Sequence, residues 1–264
     1  MAEPASPRRT LYGFWLSPYM SQVAHLLTEA GLGFDYERVS PYLGDTLAPR
    51  HRSRNALGKI PCLVDVNGAV VSESQAISRY LARTYPELRR FYPVDDPIAC
   101  ARVDTKNDFV TFSIGGAVFN WFVFSAYFPK AWGLAIEDEA RVFGHASFLL
   151  VRGALARLVA GSEMAPFLLG AEPSLPDYQL FHTLEVGRTF SGLFDMPAID
   201  LARGDAALER LHAAMCERPA TQKILREQAA ELPLSRKELF EDFGPAYGSV
   251  FDRRILEGLF GHAV

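Results

Sequence analysis

The chain has 264 residues, 49% of them hydrophobic and 22% charged, with a formal net charge of −4. That length and mixture allow one large or two modest cores and exclude a disordered or fibrous chain. The slightly acidic balance gives no electrostatic reason to expect nucleic acid or an anionic membrane as partner.

Residues 1–9 carry two prolines and two arginines and no apolar run that would make a signal peptide. No later stretch reaches about 18 uninterrupted apolar residues, so a soluble, cytoplasmic protein is expected. Three cysteines, Cys62, Cys100 and Cys216, are widely spaced without a CxxC pattern, which suits a reducing compartment. The six histidines show no metal-ligand spacing, and no metal is expected.

Residues 10–14 read as a short strand, and a loop at 15–19 leads into a helix over about 20–30, with Val23, Ala24, Leu26 and Leu27 on its apolar side and Gly31 as the stop. A second strand follows at 34–39. Residues 40–54, with Pro41, Gly44 and Pro49, are irregular, with room for one short helix.

The run 55–85, NALGKIPCLVDVNGAVVSESQAISRYLARTY, is the most informative stretch. Its first strand, 61–66, is followed by Asn67-Gly68, the strongest short hairpin signal, and by the return strand at Val70 and Val71. Ser72 with Gln75 three residues on reads as a capping box opening a helix with Ala76, Ile77, Tyr80 and Leu81 on its apolar face. Ile60-Pro61 is a candidate cis bond, which would turn the Ile60 backbone N–H and C=O out of the sheet, toward a bound peptide. Glu73 and Ser74 stand in the first helical turn, where unpaired N–H groups and the positive dipole end gather. A ligand carrying both an ammonium and a carboxylate would find a partner for each there, although Ser72, Glu73 and Ser74 also read simply as helix caps.

Residues 87–97 read as a proline-rich linker, after which strand signals stop. A long helix is expected over 98–112, continuing bent past Gly115-Gly116 into the aromatic run AVFNWFVFSAYF, which reads as core and subunit interface or as the lining of an apolar pocket. Further helices are expected over 140–159, from Ser174-x-x-Asp177, over 206–216 and over 220–230. Asp177 reads as a folding residue partnered by Ser174 and nearby backbone N–H groups. The last stretch, 231–264, holds too many apolar residues for a disordered tail and is expected to pack on the body.

The G-K-I-P, hairpin, S-E-S-x-A-I series and the order of elements around it, over approximately residues 10–230, resemble the cytosolic glutathione S-transferases of theta-like or bacterial-like, serine type. The resemblance implies an α/β thioredoxin-like N-terminal domain (10–86), the linker (87–97) and an all-α C-terminal domain (98–264) whose extension begins near 231. It implies glutathione as co-substrate, an apolar electrophile as second substrate, and a homodimer. Ile60, before cis Pro61, would hold the cysteinyl backbone of glutathione, and Glu73 and Ser74 its γ-glutamyl end. Lys59 or Arg50 is left for the glycine carboxylate, since the usual His-Lys pair is not evident in 43–48.

A free thiol, with a pKa near about 8.5, is mostly protonated at neutral pH. Lowering it by about two units takes roughly 2.7 kcal/mol of selective thiolate stabilisation, which a hydroxyl donor beside a helix N-terminus can supply. By resemblance Ser17, just before Pro18, is that donor, with Tyr12 as the alternative; Ser17 as a simple cap of the first helix stays open. The 15–19 loop contains no cysteine, which argues against the classes that form a mixed disulfide with glutathione. Two activities remain: glutathione conjugation by substitution or addition, dehalogenation and epoxide opening included, and a transferase-like binding or assembly module with little turnover.

Overall fold

The computed structural model describes residues 8–116, 118, 149–159, 166–194 and 200–242. Four strands, β1 (Arg9–Gly13), β2 (Phe34–Arg38), β3 (Cys62–Val64) and β4 (Val70–Ser72), form one sheet in the order β2-β1-β3-β4. β1 and β2 are parallel, joined by helix α1 (Pro18–Glu29), while β3 and β4 add antiparallel strands through the Asn67-Gly68 turn, where Gly68 takes the left-handed φ of 82° that the turn demands. This is the thioredoxin-like arrangement.

The pleat separates the two faces of the sheet. Leu11 and Leu63, a cross-strand pair, lie in the core with Leu26 and Leu27 of α1 and with Ile77 and Leu81 of helix α3 (Ser74–Thr84). The next pair, Tyr12 and Cys62, turns to the opposite face, under helix α2 (Pro49–Arg52) and the loop after it. There the Arg54 guanidinium lies 4.2 Å from the Tyr12 ring centroid and the Cys62 thiol reaches the Arg54 carbonyl at 4.0 Å.

After α3 the chain makes a 3-10 turn, Pro86–Phe91, with Leu88, Phe91 and Tyr92 buried. Helix α4 (Pro97–Asp108) opens with Asp96 accepting from the N–H groups of Ile98 and Ala99, and widens into a π-helical stretch, Phe109–Gly115. Helical residues 149–159 (α5), α6 (Leu175–Phe194), α7 (Ala206–Cys216) and α8 (Pro219–Lys237) complete the described part of the helical domain. The expected helix at 140–159 is described only from 149, and the aromatic run 117–128 lies outside the described residues except for Val118, which is buried. Among the described residues no helix is long and apolar enough to cross a membrane.

α6 forms the centre of this domain, with Tyr178, Leu180, Phe181 and Leu184 fully buried. Asp177, also fully buried, accepts from Leu168 N (2.7 Å), Ser174 N (2.8 Å) and Ser174 Oγ (2.8 Å), the partners expected of a folding residue. The two domains meet through α1, which packs on α6 and α8: His25 Nδ1 and His182 Nε2 are 3.1 Å apart, and Thr221 Oγ1 lies 3.0 Å from His25 Nε2.

α8 runs seven residues beyond its expected end, straight through Pro233, and a π-helical turn, Glu238–Asp242, follows. This part of the C-terminal extension does pack on the first domain. Arg38 of β2 makes a two-pronged pair with Glu238, both contacts at 2.7 Å, and Ser40 Oγ donates to the same carboxylate at 2.7 Å. Residues 243–264 lie outside the described part.

Candidate functional site

Strand pairing alone brings the candidate residues together. Tyr12 is paired with Cys62, and Cys62 with Ser72, so the end of β1, the start of β3 and the end of β4 stand side by side. Ser17 follows the first, Ile60-Pro61 precedes the second, and Glu73-Ser74 follows the third. Residues separated by more than fifty positions thus open onto one end of the sheet.

Ser17 is the N-cap of α1, with Pro18 at the first helical position, whose missing N–H costs nothing there. The helix therefore begins two residues before the expected Met20. Ser17 Oγ accepts from Met20 N at a long 3.4 Å, and among the described residues its own proton has no acceptor. A half-buried hydroxyl with a proton to give, beside the positive end of a twelve-residue helix, can donate to an anion. Tyr12 lies on the other face of the sheet from α1, half-buried beneath Arg54.

Ile60-Pro61 is cis. The Lys59 carbonyl just before it is fixed by two donors, His51 Nε2 and Asn55 Nδ2, each at 2.9 Å, and Asn55 is itself buried. Among the described residues the Ile60 N–H and C=O make no hydrogen bond, so both are available to a strand-like ligand. The Lys59 and Arg50 side chains are exposed at the rim.

The capping box expected of Ser72 and Gln75 does not form. Ser72 is spent in the β4 ladder opposite Cys62, and the helix starts two residues later, with Glu73 at the cap position and Ser74 as first helical residue. Glu73 holds a left-handed φ of 67°, a conformation costly for a residue with a side chain, and no side chain caps the helix. The first turn of α3 therefore offers backbone N–H groups to an incoming carboxylate, with the exposed Glu73 carboxylate beside it for a cation. Gln75 instead points inward, where its Nε2 donates to Thr111 Oγ1 (2.8 Å), Gln22 Oε1 (3.2 Å) and Gln179 Oε1 (3.3 Å), and its Oε1 accepts from Asn107 Nδ2. This amide cluster ties α3 to α1, α4 and α6 directly beneath the site.

Tyr19, in the first turn of α1, was not legible as a site residue. Burial, with the Glu73 charge as a second cause, pushes its hydroxyl up to about 12, so it stays neutral at physiological pH. A Cβ on Gly115 would come within 2.7 Å of Tyr19 Oη, so the glycine makes room where the π-helical stretch meets α1. The helical domain thereby forms a wall of the site beside Ser17 and Glu73. No spacing rule links Tyr19 to Gly115.

Residues 16–84 match the family model for the glutathione S-transferase N-terminal domain. Glutathione S-transferase 4 of Zea mays is 38% identical over 85 residues, covering 32% of this chain and 38% of that protein. The chain thus spans about two fifths of the length of the first curated relatives it matches. Glutathione S-transferase hmp2 of Hypomyces subiculosus is 32% identical over 174 residues, covering 65% of this chain and 78% of its own length. Among solved structures, a glutathione transferase of Phanerochaete chrysosporium, crystallised with oxidized glutathione, superposes with a TM-score of 0.72 at 19% identity over 88% of this chain and 99% of its own.

Proposed function

The chain belongs to the glutathione S-transferase family, and from that premise we propose that it joins the thiol of glutathione to an electrophilic, largely apolar small molecule. The observation that carries the reading is the convergence of Ser17, the cis Ile60-Pro61 bend and the uncapped start of α3 on one end of the sheet. Glutathione would lie with its cysteinyl peptide against the Ile60 N–H and C=O, its α-carboxylate on the first turn of α3 and Ser74, and its ammonium against Glu73. Lys59 or Arg50 would meet the glycine carboxylate. Its sulfur would then face Ser17, whose proton is free to be donated while the oxygen caps α1.

Of the finer class assignments, serine-type activation is the one this geometry supports. Tyr12 would need its hydroxyl to reach around the sheet from under Arg54. Substitution, addition, dehalogenation and epoxide opening all use the same thiolate, and the electrophile is read only as apolar. A homodimer, with the first domain of one subunit against the helical domain of the other, completes the proposal.

Two measurements test it. Calorimetry should show glutathione binding to the folded protein, and a chlorinated nitroaromatic should be turned over. Ser17→Ala should lower kcat/KM at neutral pH by about tenfold to a hundredfold, with the deficit shrinking as the solution pH rises and glutathione ionises unaided. Tyr12→Phe should stay within about twofold of the parent. No binding heat removes the proposal, binding without turnover leaves a binding module, and a fully active Ser17→Ala removes Ser17 as the donor.

A further inference from the structure

The turn that presents Ser17 is gripped from the far end of the chain. Ser17 N donates to the Phe14 carbonyl at 2.9 Å, which closes a four-residue turn with Trp15 and Leu16 at its centre. The Trp15 peptide has no backbone partner for either of its polar groups among the described residues. Its N–H donates to Glu231 Oε1 at 3.0 Å, and its carbonyl accepts from Ser21 Oγ at 2.7 Å and from Gln228 Nε2 at 3.2 Å. Gln228 also donates to Ser21 Oγ at 2.9 Å. Gln228 and Glu231 are three residues apart on α8 and so share one helix face.

Glu231 is itself held. Its second oxygen accepts from Tyr36 Oη at 2.6 Å and lies 3.3 Å from Arg38 Nε, and the Trp15 ring rests on Tyr36 with centroids 5.1 Å apart. A carboxylate fixed by a phenol and a guanidinium on β2 is a rigid acceptor, and it fixes the N–H two residues ahead of Ser17. The neighbouring amide fixes the carbonyl of the same residue. Sliding α8 along the first domain would pull this peptide, and with it the turn that sets the direction of the Ser17 hydroxyl.

We infer that Gln228 and Glu231 are positioning residues for the thiol-activating hydroxyl, so that the helical domain, through α8, sets the orientation of Ser17 in the other domain. The inference rests on the glutathione reading above, because only an anion at Ser17 gives that orientation a chemical consequence. Neither residue touches glutathione, and both act through the Trp15 peptide.

The test uses the full chain with Glu231→Ala, the milder Glu231→Gln, whose amide oxygen can still accept from Trp15, and Gln228→Leu, which leaves Ser21 on the Trp15 carbonyl. Hydrogen–deuterium exchange of the unliganded proteins reads the grip without any need for glutathione. The 14–17 amides should exchange at least about tenfold faster in Glu231→Ala, by less in Glu231→Gln, while the amides of β3 stay as in the parent. The ionisation of the bound glutathione thiol, followed by thiolate absorbance, should move up by about one pH unit in Glu231→Ala and less in the other two, with the glutathione Kd changed less than about threefold. A merely structural loss would move Kd and β3 exchange together with the thiol. Unchanged exchange at 14–17 overturns the grip, and faster exchange with an unmoved thiol overturns the positioning role. Failure of the parent protein to bind glutathione at all sinks the functional reading and the positioning role with it, while the exchange result still decides the grip.

Discussion

Replacing Arg38 by Met, which keeps the bulk of the stem, should destabilise the protein more than any change to its partners taken singly. Arg38 stands between two carboxylates of the C-terminal segment, Glu238 with side-chain exposure of 3% and Glu231 with 8%, and its guanidinium carbon lies 5.2 Å from the Phe14 ring centroid. Burial alone would weaken its hold on its proton, and the Glu238 and Glu231 charges more than reverse that. Removing one member of a buried pair costs about 3–5 kcal/mol because the other charge is left desolvated; Arg38 keeps 21% of its side chain in water, which brings the expectation to about 3 kcal/mol at neutral pH. Glu238→Gln leaves Arg38 its second carboxylate and an amide oxygen to bond, and should cost only about 1–2 kcal/mol. Urea unfolding at neutral pH gives both numbers, and limited trypsin cleavage at Arg236 and Lys237 reports whether α8 has lifted. An Arg38→Met variant within about 1 kcal/mol of the parent would refute the reasoning.

Gly13→Ala should cost about 2 kcal/mol by overpacking, since its Cβ would overlap Met20 Cγ, and Met20→Ala beside it should recover part of the loss in a thermal melt. Asp177→Ala leaves the buried N–H groups of Leu168 and Ser174 without acceptors and should cost about 2–5 kcal/mol, read as a fall in Tm or in soluble yield. Burial drives His182 down to about 3, and burial first, then His182 and Arg218, hold His25 well below the usual histidine value. Both are therefore neutral when folded, while the unfolded chain protonates them near about 6.5, so their contribution is complete above that pH and is lost as the pH falls. His182→Gln, which retains a partner for His25, should flatten the acid side of the stability–pH curve, and an unchanged slope would argue against the assignment.

The sequence was most readable where a local rule sufficed. Asn67-Gly68 makes its hairpin, Gly31 ends α1 with a φ of 68°, and Asp177 finds the partners its spacing with Ser174 suggests. It misled where two local rules competed for one residue. Ser72 fits a capping box, but it also completes a three-residue strand, and pairing with Cys62 in the ladder prevails. Pro233 marks a helix end by rule, yet α8 continues through it, held on both sides by Glu231 and Glu238 against Arg38. Of the candidate site, the cis bend after Ile60 and the place of Glu73 and Ser74 at the start of α3 were legible as local features, whereas the setting of Ser17 and Tyr12 depends on residues such as Glu231 and Arg54, which no periodicity connects to them.

The amide cluster around Gln75 bears on how this protein can be cut and recombined. The stretch that the family model recognises ends at residue 84, before the first turn of the helical domain. Severed there, the first domain would present Gln22 and Gln75 to water without Asn107, Thr111 and Gln179. Chimeras spliced at that seam should fare best when the donor of the helical half brings its own side chains to match those two glutamines, a criterion that can be applied before any gene is made.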